Sequence, residues 1–201
     1  MSKVPLKAAG APPALAALIL IDVITDYAFS GGARLRRAAP PALARIVALR
    51  RRLQAAEIPV IYANDNRGRW RSDVRELASR SVAAGAPAIA GLLPDRSDYV
   101  VLKPKQSGFY ATPLAELLHH LGVRTVVLAG LAGDGCVLCT AIDAHLRGYR
   151  VIVPRDCVAS ISPARNRRAL QILAESFGID TRAGARITRR TLQATGGARA
   201  D

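Results

Sequence analysis

Arg124-Thr-Val-Val-Leu-Ala-Gly130-Leu-Ala-Gly-Asp-Gly-Cys136 carries the clearest structural signal in this chain. The run up to Gly130 is almost entirely apolar, which is typical of a strand that is buried on both faces. Residues 137–147 have a helical pattern, so the glycines in between predict a turn from strand to helix. Cys136 then lies where a helix begins, beside free backbone N–H groups and the positive end of the helix dipole, a setting that favours a thiolate nucleophile. A small buried core cysteine is the alternative interpretation.

Apolar runs and helical patterns alternate along the rest of the chain. Strands are predicted at 15–22, 58–63, 99–103, 124–130 and 149–154, with a weaker last strand near 179–182. Helices are predicted at 40–57, 72–80, 112–121, 137–147 and 162–176, with Ser72 as one N-cap and Pro163 at the first position of the last helix. Strands separated by helices of this length indicate right-handed β-α-β units around a parallel sheet. We therefore predict an α/β fold, a three-layer α/β/α sandwich.

Length and composition fit one globular domain. With 201 residues, half of them apolar, the chain is long enough to bury a core and is neither disordered nor collagen-like. We predict a disordered leader over residues 1–13, a single domain over 14–190 and a disordered tail over 191–201. The apolar run at 14–21 resembles a short signal peptide, but it ends in Asp22 and is too short to span a bilayer.

Cysteine usage and charge restrict the compartment and the partners. Three cysteines form an odd set without a secretory pattern, so we expect a reducing compartment and a cytoplasmic location. A net charge of +14 makes nucleic acid a partner to consider. However, the arginines are scattered, and one tryptophan, five tyrosines and three phenylalanines provide no platform for base stacking. We expect a small-molecule substrate and neither a nucleic-acid nor a membrane partner.

Three chemically useful side chains, Asp22, Lys103 and Cys136, stand at the ends of predicted strands. In an open parallel sheet, ligands bind at the carboxyl ends of the strands. A carboxylate accepts the proton of a neighbouring thiol, and an ammonium stabilises the thiolate and the charge that develops during attack. Taken singly, Asp22 has an alternative role as a turn cap and Lys103 as a surface lysine. Their combination indicates a nucleophilic site.

The same three residues lie in three ordered motifs. These are Leu20-Ile-Asp22-Val-Ile-Thr-Asp26-Tyr, Leu102-Lys103-Pro-Lys-Gln-Ser107-Gly-Phe109 and Gly130-Leu-Ala-Gly-Asp-Gly-Cys136-Val. They resemble the signatures of the isochorismatase-like cysteine hydrolases, a family that also contains nicotinamidases and N-carbamoylsarcosine amidohydrolases. The resemblance covers roughly residues 15–182. It implies a six-stranded parallel sheet in the order 3-2-1-4-5-6, in which Asp22 and Cys136 face each other from neighbouring strands.

The resemblance assigns a catalytic triad to this chain. Carried over by position, Asp22 is the proton acceptor, Lys103 the cationic stabiliser and Cys136 the nucleophile. It also implies a cis peptide bond between Leu131 and Ala132, which directs the backbone N–H groups of Ala132 and Cys136 at one oxyanion. The implied reaction is attack of the thiolate on a carbonyl, release of an amine and hydrolysis of the thioester by water. A homodimer or homotetramer is the implied assembly.

Two departures from the family's motifs affect what we predict about a metal cofactor and about the size of the pocket. Nicotinamidases carry an Asp-x-His metal motif after the second strand, whereas this chain has Asn64-Asp-Asn66 there. Its three histidines, His119, His120 and His145, fall in predicted helices, so we expect no metal and no cofactor. Gly133 stands where relatives often have threonine, which predicts a slightly larger or looser pocket.

Substrate contacts are predicted on the loops that flank the triad. The set is Tyr27, Phe29, Asn64, Trp70, Phe109 and Leu131, with Tyr110 as a further apolar wall. The polar loop from Asn64 to Trp70, with Arg67 and Arg69, fits an anionic substrate, and equally a solvated loop or a subunit contact. We interpret Cys139 and Cys157 as packing residues, and Asp26 and Asp143 as structural hydrogen-bond partners.

The retained cysteine favours one reaction among several. We expect hydrolysis of a C–N bond in a small amide- or carbamoyl-type substrate, because Cys136 is suited to form a thioester. The alternatives are an isochorismatase acting on a vinyl ether, a catalytically silent family member that serves as a binding or assembly subunit, and a basic nucleic-acid-associated protein.

Overall fold

The molecule is built around a parallel sheet with helices on both sides. The computed structural model describes residues 15–68, 73–84 and 91–193, so the predicted leader at 1–13 lies outside the described residues. The strands are β1 Ala16–Ile21, β2 Val60–Asp65, β3 Tyr99–Lys103, β4 Thr125–Leu131, β5 Arg150–Ile152 and β6 Val158–Ala159. Their order is β3-β2-β1-β4-β5, with β6 also paired to β4, and every pairing is parallel. The predicted α/β class and the parallel six-stranded sheet are confirmed.

One edge of the sheet differs in detail from the expected order. The three residues of β5 pair only with the start of β4, at Thr125–Val127. The carboxyl end of β4 is therefore open, and β6 pairs there with Gly130 and Leu131. The segment that we predicted as the last strand contributes a single parallel bridge, between Ile152 and Asp180.

Seven α-helices cover the sheet in the described part of the chain. They are α1 Gly32–Ala38, α2 Pro40–Ala55, α3 Val74–Ala83, α4 Leu114–His120, α5 Leu138–Leu146, α6 Pro163–Phe177 and α7 Arg189–Gln193. No helix among the described residues is long and apolar enough to cross a membrane.

Side-chain alternation along β1 separates the core into two layers. Leu18 and Leu20 pack in a cluster with residues of α1, α2, α3 and α7. Ile19 and Ile21 point the other way, into a cluster with residues of α4, α5 and α6. Because successive residues of a strand face opposite sides of a sheet, a fully apolar strand must be covered on both faces. This explains the three layers.

Two helix starts show how capping chemistry sets the boundaries. Ser162 caps α6 by accepting a hydrogen bond from the N–H of Arg165, and Pro163 is the first helical residue, as predicted for Pro163. The N-cap of α3 is Asp73 rather than the predicted Ser72, because the Asp73 carboxylate accepts the N–H of Glu76. The sequence pattern does not predict helix α1, since few of its residues are apolar.

The predicted tail at 191–201 begins inside a helix. Residues 191–193 belong to α7, and Leu192 is buried against the α2 side of the sheet. Residues 194–201 lie outside the described part of the chain. The domain therefore continues slightly beyond the predicted boundary at residue 190.

Gly130 allows the two central strands to approach closely where the site is built. It pairs in register with Ile21, the last residue of β1. Its φ is +136°, and a Cβ at this position would lie 2.0 Å from the carbonyl oxygen of Ile21. Only glycine fits this combination of backbone conformation and contact.

We expect Gly130→Ala to lower the free energy of unfolding by more than about 3 kcal/mol, because the new methyl group must separate β1 from β4. The matched control is Gly148→Ala, where φ is +82° and an added Cβ would meet no heavy atom of the described residues within 4 Å. In that control the free energy of unfolding should fall by only about 1–2 kcal/mol, because only the unfavourable backbone conformation contributes. Urea denaturation curves of the two variants measure the difference, and equal losses would contradict the proposed close contact.

Candidate active site

Four ionisable side chains meet at the carboxyl edge of the sheet. Asp65 and Lys103 are the last residues of β2 and β3, and they are paired in register. Asp22 directly follows β1, and Cys136 lies in the turn that follows β4. Three of the four were predicted from the sequence, and parallel strand ends meeting at one edge explain why residues far apart in the chain come together.

Lys103 is the centre of this arrangement. Its side chain is 0% exposed, and its Nζ lies 2.9 Å from Oδ2 of Asp22. The same Nζ donates hydrogen bonds to Sγ of Cys136 at 3.3 Å and to the carbonyl oxygen of Lys105 at 3.1 Å. An ammonium has three N–H donors, so these three contacts use all of them. The structure thus brings together the three side chains of the predicted triad.

Asp22 is held in place from two sides. Its backbone has a φ of +50° and donates to the carbonyl oxygen of Ala63 at 3.1 Å. Its Oδ1 accepts the backbone N–H of Asp65 at 2.6 Å, while Oδ2 faces Lys103. The chain therefore bends sharply after β1, and both carboxylate oxygens are fixed.

Cys136 lies in a short π-helical turn, Gly133–Val137, which leads into α5. The peptide bond between Leu131 and Ala132, just before this turn, is cis. The carbonyl oxygen of Ala132 accepts the N–H groups of both Gly135 and Val137, and the carbonyl oxygen of Cys136 accepts the hydroxyl of Thr140. The turn is thereby tied to its own beginning and to the first turn of α5.

Burial controls protonation in this site. Desolvation and the neighbouring carboxylate of Asp22 raise the pKa of Cys136 to about 12. Burial also raises the pKa of Asp22, against the opposing effect of Lys103. For Lys103, burial disfavours the charge, but the attraction of Asp22 and Cys136 is larger in sum and raises the pKa. The raised pKa values keep Cys136 a thiol and Lys103 an ammonium, and both groups titrate together with Asp22 as one coupled set.

This protonation state corrects one expectation from the sequence. The helix start was expected to favour a thiolate at Cys136, but desolvation outweighs the partial charge of the helix end. Burial thus favours the thiol form of Cys136, and Asp22 is the neighbouring carboxyl group in position to accept its proton.

A cavity of about 280 Å³ opens above Cys136. Among the residues that line it are Phe29, Asn64 and Leu131, which we predicted as substrate contacts, and Ala132, predicted for the oxyanion hole. The sequence-based prediction missed other wall residues, namely Ile24, Thr25, Leu35 and Asp65. A signal was available for three of them, since Ile24 and Thr25 lie inside the first motif and Asp65 lies at a strand end, whereas Leu35 lies in helix α1, which the sequence pattern does not predict.

Two of the predicted contacts have structural roles. Asn64 is 2% exposed, and its amide binds both the N–H and the carbonyl oxygen of Ile24, so it shapes the wall rather than facing a ligand freely. Tyr27 is not among the residues that line the cavity, and its side chain is buried in the core on the α2 side of the sheet.

The aromatic residues after β3 also lie away from the cavity. Phe109 is 4% exposed and stacks on Tyr149 with ring centroids 6.0 Å apart, so it packs on the other face of the sheet. Tyr110 is 59% exposed and is not a wall residue. Trp70, like Arg69, lies outside the described residues, and nothing about its predicted contact follows from the structure.

The two remaining cysteines differ from each other. Cys157 is buried, as expected of a packing residue. Cys139 is exposed, so its predicted packing role is wrong: it lies one helical turn after Cys136, on the solvent side of α5.

Arg67 forms part of the cavity wall, with its charge already engaged. Its guanidinium lies 3.0 Å from Oδ1 of Asp26 and donates to the hydroxyl of Thr25 at 2.8 Å. The same group lies over the ring of Phe29, 5.0 Å from the centroid. Asp26 also binds Arg80 at 3.0 Å, which agrees with the structural role predicted for it.

The space beside Gly133 is filled from α6. A Cβ on Gly133 would lie 2.3 Å from Oδ1 of Asn166 and 3.1 Å from Oγ of Ser160. Ser160 in turn donates to Asn166 and accepts the N–H of Asp134. The predicted looser pocket at Gly133 is therefore wrong, because a polar network occupies the volume that a larger side chain would take.

No group of three or more histidine, cysteine, aspartate or glutamate residues is arranged to hold a metal ion in the part of the chain that is described. His119 and His120 lie at the end of α4 and His145 in α5, as predicted.

The chain matches one protein-family model and is similar to several known proteins. The family model described as "Isochorismatase domain" matches residues 16–183. The uncharacterized isochorismatase family protein YaaI of Bacillus subtilis is 35% identical over 158 residues, which cover 78% of this chain and 87% of that protein. The ureidoacrylate amidohydrolase RutB of Methylobacterium radiotolerans is 31% identical, over 82% of this chain and 75% of that protein. The crystal structure of N-carbamoylsarcosine amidase from Thermoplasma acidophilum superposes with a TM-score of 0.66 and 29% identity, covering 86% of this chain and 98% of that one.

We expect the contact between Gly133 and Asn166 to appear as a coupling in a double-mutant cycle. Gly133→Ala should destabilise by about 1–2 kcal/mol because its methyl group meets the fixed side chain of Asn166. In an Asn166→Ala background, the same change should cost at least about 1 kcal/mol less.

The matched control for this cycle is Gly135→Ala, whose Cβ would meet only Cβ of Ala132, at 4.0 Å, among the described residues. It should be neutral within about 0.5 kcal/mol in either background. Additive losses for Gly133→Ala and Asn166→Ala, measured by thermal and urea unfolding, would contradict the packing described above.

Proposed function

The chain belongs to the isochorismatase family of hydrolases, and from this premise we propose that it cleaves a C–N bond in a small amide- or carbamoyl-type substrate through a thioester on Cys136. The observation that carries the proposal is the position of Lys103 Nζ, within hydrogen-bond distance of both Asp22 and Cys136. A cation that contacts both a carboxyl group and a thiol, the last two of which line one cavity, supplies the parts that such a reaction requires.

The first half of the reaction forms the thioester. Sγ of Cys136 attacks the substrate carbonyl carbon as its proton passes to the carboxylate of Asp22. The oxyanion that develops is stabilised by the backbone N–H groups of Ala132 and Cys136 and by the field of the Lys103 ammonium. Asp22 then donates the proton to the substrate nitrogen, the C–N bond breaks, and the amine leaves.

The second half regenerates the enzyme. Asp22, again a carboxylate, accepts a proton from water, and the hydroxide adds to the thioester carbonyl. The C–S bond breaks, the proton on Asp22 returns to Sγ, and the acid product departs. Asp22 carries one proton at a time, taken first from Cys136 and then from water, which fits its raised pKa.

Two observations favour an amide over the vinyl ether of isochorismate. A thiol in hydrogen-bond contact with Lys103 suits attack on an amide carbonyl, which gives a thioester, whereas a vinyl ether offers no acyl group to Cys136 and is hydrolysed through protonation of its carbon. Two of the matched proteins are named as an amidohydrolase and an amidase. The cavity, at about 280 Å³, is at the lower limit of small-molecule sites, so the substrate is small.

We expect Cys136→Ala to reduce amide hydrolysis by at least about 10³-fold, because no other thiol lines the cavity among the described residues. Ammonia release from a panel of small primary amides, ureas and carbamates measures this. The matched control is Cys139→Ala, which removes an exposed thiol outside the cavity and should retain activity within about twofold.

Full activity of Cys136→Ala would rule out the thioester route. A wild-type protein that hydrolyses no member of the panel would support the alternative of a silent binding subunit.

The pH dependence of kcat/KM tests the role of Asp22. Because the reaction needs the carboxylate form and burial raises the pKa of Asp22 above the ordinary 3.8, activity should fall on acidification at a higher pH than for an exposed carboxyl. Burial opposes the charge on Lys103, yet its pKa is raised above the ordinary 10.5, and that of Cys136 is raised to about 12. The plateau should therefore extend to about pH 9 or beyond.

The profile is measured from about pH 4 to 10 with a primary amide. Activity that falls on acidification only near about pH 4, as for an exposed carboxyl, or that declines as the pH rises through neutrality, would contradict this assignment.

A further inference from the structure

Asp65 is the fourth ionisable side chain of the site, and the reaction described above gives its carboxylate no role. It lines the cavity together with Asp22 and Cys136. Its side chain is 35% exposed, compared with 15% for Asp22 and 0% for Lys103. It is thus the more open of the two carboxylates and is within reach of a bound molecule.

One oxygen of Asp65 is fixed by the protein. Oδ1 accepts the backbone N–H of Arg67 at 2.6 Å, in the turn that follows β2. The backbone N–H of Asp65 itself is bound to Asp22. The side chain is therefore held in one orientation, and Oδ2 is directed towards Lys103 and the cavity.

The other oxygen retains capacity to accept a hydrogen bond. Oδ2 lies 3.8 Å from Nζ of Lys103, which is too long for a hydrogen bond. The three N–H donors of that ammonium are already used by Asp22, Cys136 and the carbonyl oxygen of Lys105. Among the described residues, Lys103 therefore attracts Oδ2 by charge but donates nothing to it.

The position of Oδ2 relates it to the reacting bond. Oδ2 and Sγ of Cys136 lie 3.8 and 3.3 Å from the same Nζ. Oδ2 and Sγ are therefore within about 7 Å of each other on one cavity wall, so that a substituent on a carbonyl carbon bound at Sγ is within reach of Asp65. An ionised carboxylate only accepts hydrogen bonds, so it favours a substituent that carries N–H and disfavours one that carries only oxygen.

We propose that Asp65 is a specificity-determining residue that accepts an N–H of the substrate nitrogen attached to the reacting carbonyl. This inference rests on the proposed function. It restricts the substrates to amides and carbamoyl compounds that retain an N–H at this nitrogen, and it selects against esters of the same acids.

The test compares a primary amide with the methyl ester of the same acid, in the wild type and in Asp65→Asn. The asparagine keeps its Oδ1 on the N–H of Arg67, so its NH₂ group faces the cavity as a donor in place of the acceptor. We expect kcat/KM for the amide to fall at least about 10-fold while the ester value stays within about twofold or rises. Asp65→Ala should give the same change in the amide-to-ester ratio.

The amide-to-ester ratio of kcat/KM distinguishes a change in specificity from damage to the structure. Damage to the fold or to Cys136 lowers kcat/KM for both substrates together, since both react with the same nucleophile. The matched control is Glu175→Gln, which removes one exposed carboxylate on α6 and should leave both values unchanged.

The outcomes distinguish the two proposals. If kcat/KM falls by the same factor for amide and ester in both Asp65 variants, so that their ratio is unchanged, the role of Asp65 is overturned and the hydrolase mechanism is unaffected. A wild type that cleaves neither substrate, nor any amide of the panel, would overturn the proposed function and this inference with it.

Discussion

The buried ammonium of Lys103 is the interaction on which the site depends. Placing an unpaired charge in the protein interior costs several kcal/mol or more, so a fully buried lysine persists only where anions and acceptors surround it. Here Asp22, Cys136 and the carbonyl oxygen of Lys105 supply those contacts. The requirement acts in both directions, because removing the lysine would leave Asp22 as an uncompensated buried carboxylate. The close approach of β1 and β4 at Gly130 places Asp22 beside the turn that carries Cys136.

The same burial opposes ionisation of Asp22 and of Cys136 and raises the pKa of both. Desolvation disfavours the charged form of each group, and the one positive charge of Lys103 stabilises one negative charge among them. In the proposed reaction, the thiolate of Cys136 therefore forms only during attack, as Asp22 takes its proton. This also limits reaction of Cys136 with adventitious electrophiles, compared with a cysteine that is ionised at rest.

The cavity walls combine rigid parts with a polar inner end. Asn64 holds the backbone of Ile24, and Arg67 is engaged by Asp26 and Phe29, so these residues set the shape of the cavity through contacts within the protein. Asn166 similarly fills the space beside Gly133. Asp65 differs from these groups because one of its oxygens retains acceptor capacity towards the cavity, which is why the substrate selectivity proposed above centres on it.

The sequence alone determined the parallel sheet, because buried strands are continuous apolar runs. It also determined the family and the site residues Asp22, Lys103 and Cys136, because the motif residues stand at the ends of those strands. It did not determine the protonation of Cys136, which depends on how deeply neighbouring elements bury it. Nor did it distinguish Phe29, which lines the cavity, from Tyr27 and Phe109, which pack in the core: all three flank motif residues, and only the packed layers decide which way each ring points. Asp65 and Asn166 belong to the same class, since their roles arise from contacts with Lys103 and Gly133 that lie far away along the chain and come together only in the tertiary structure.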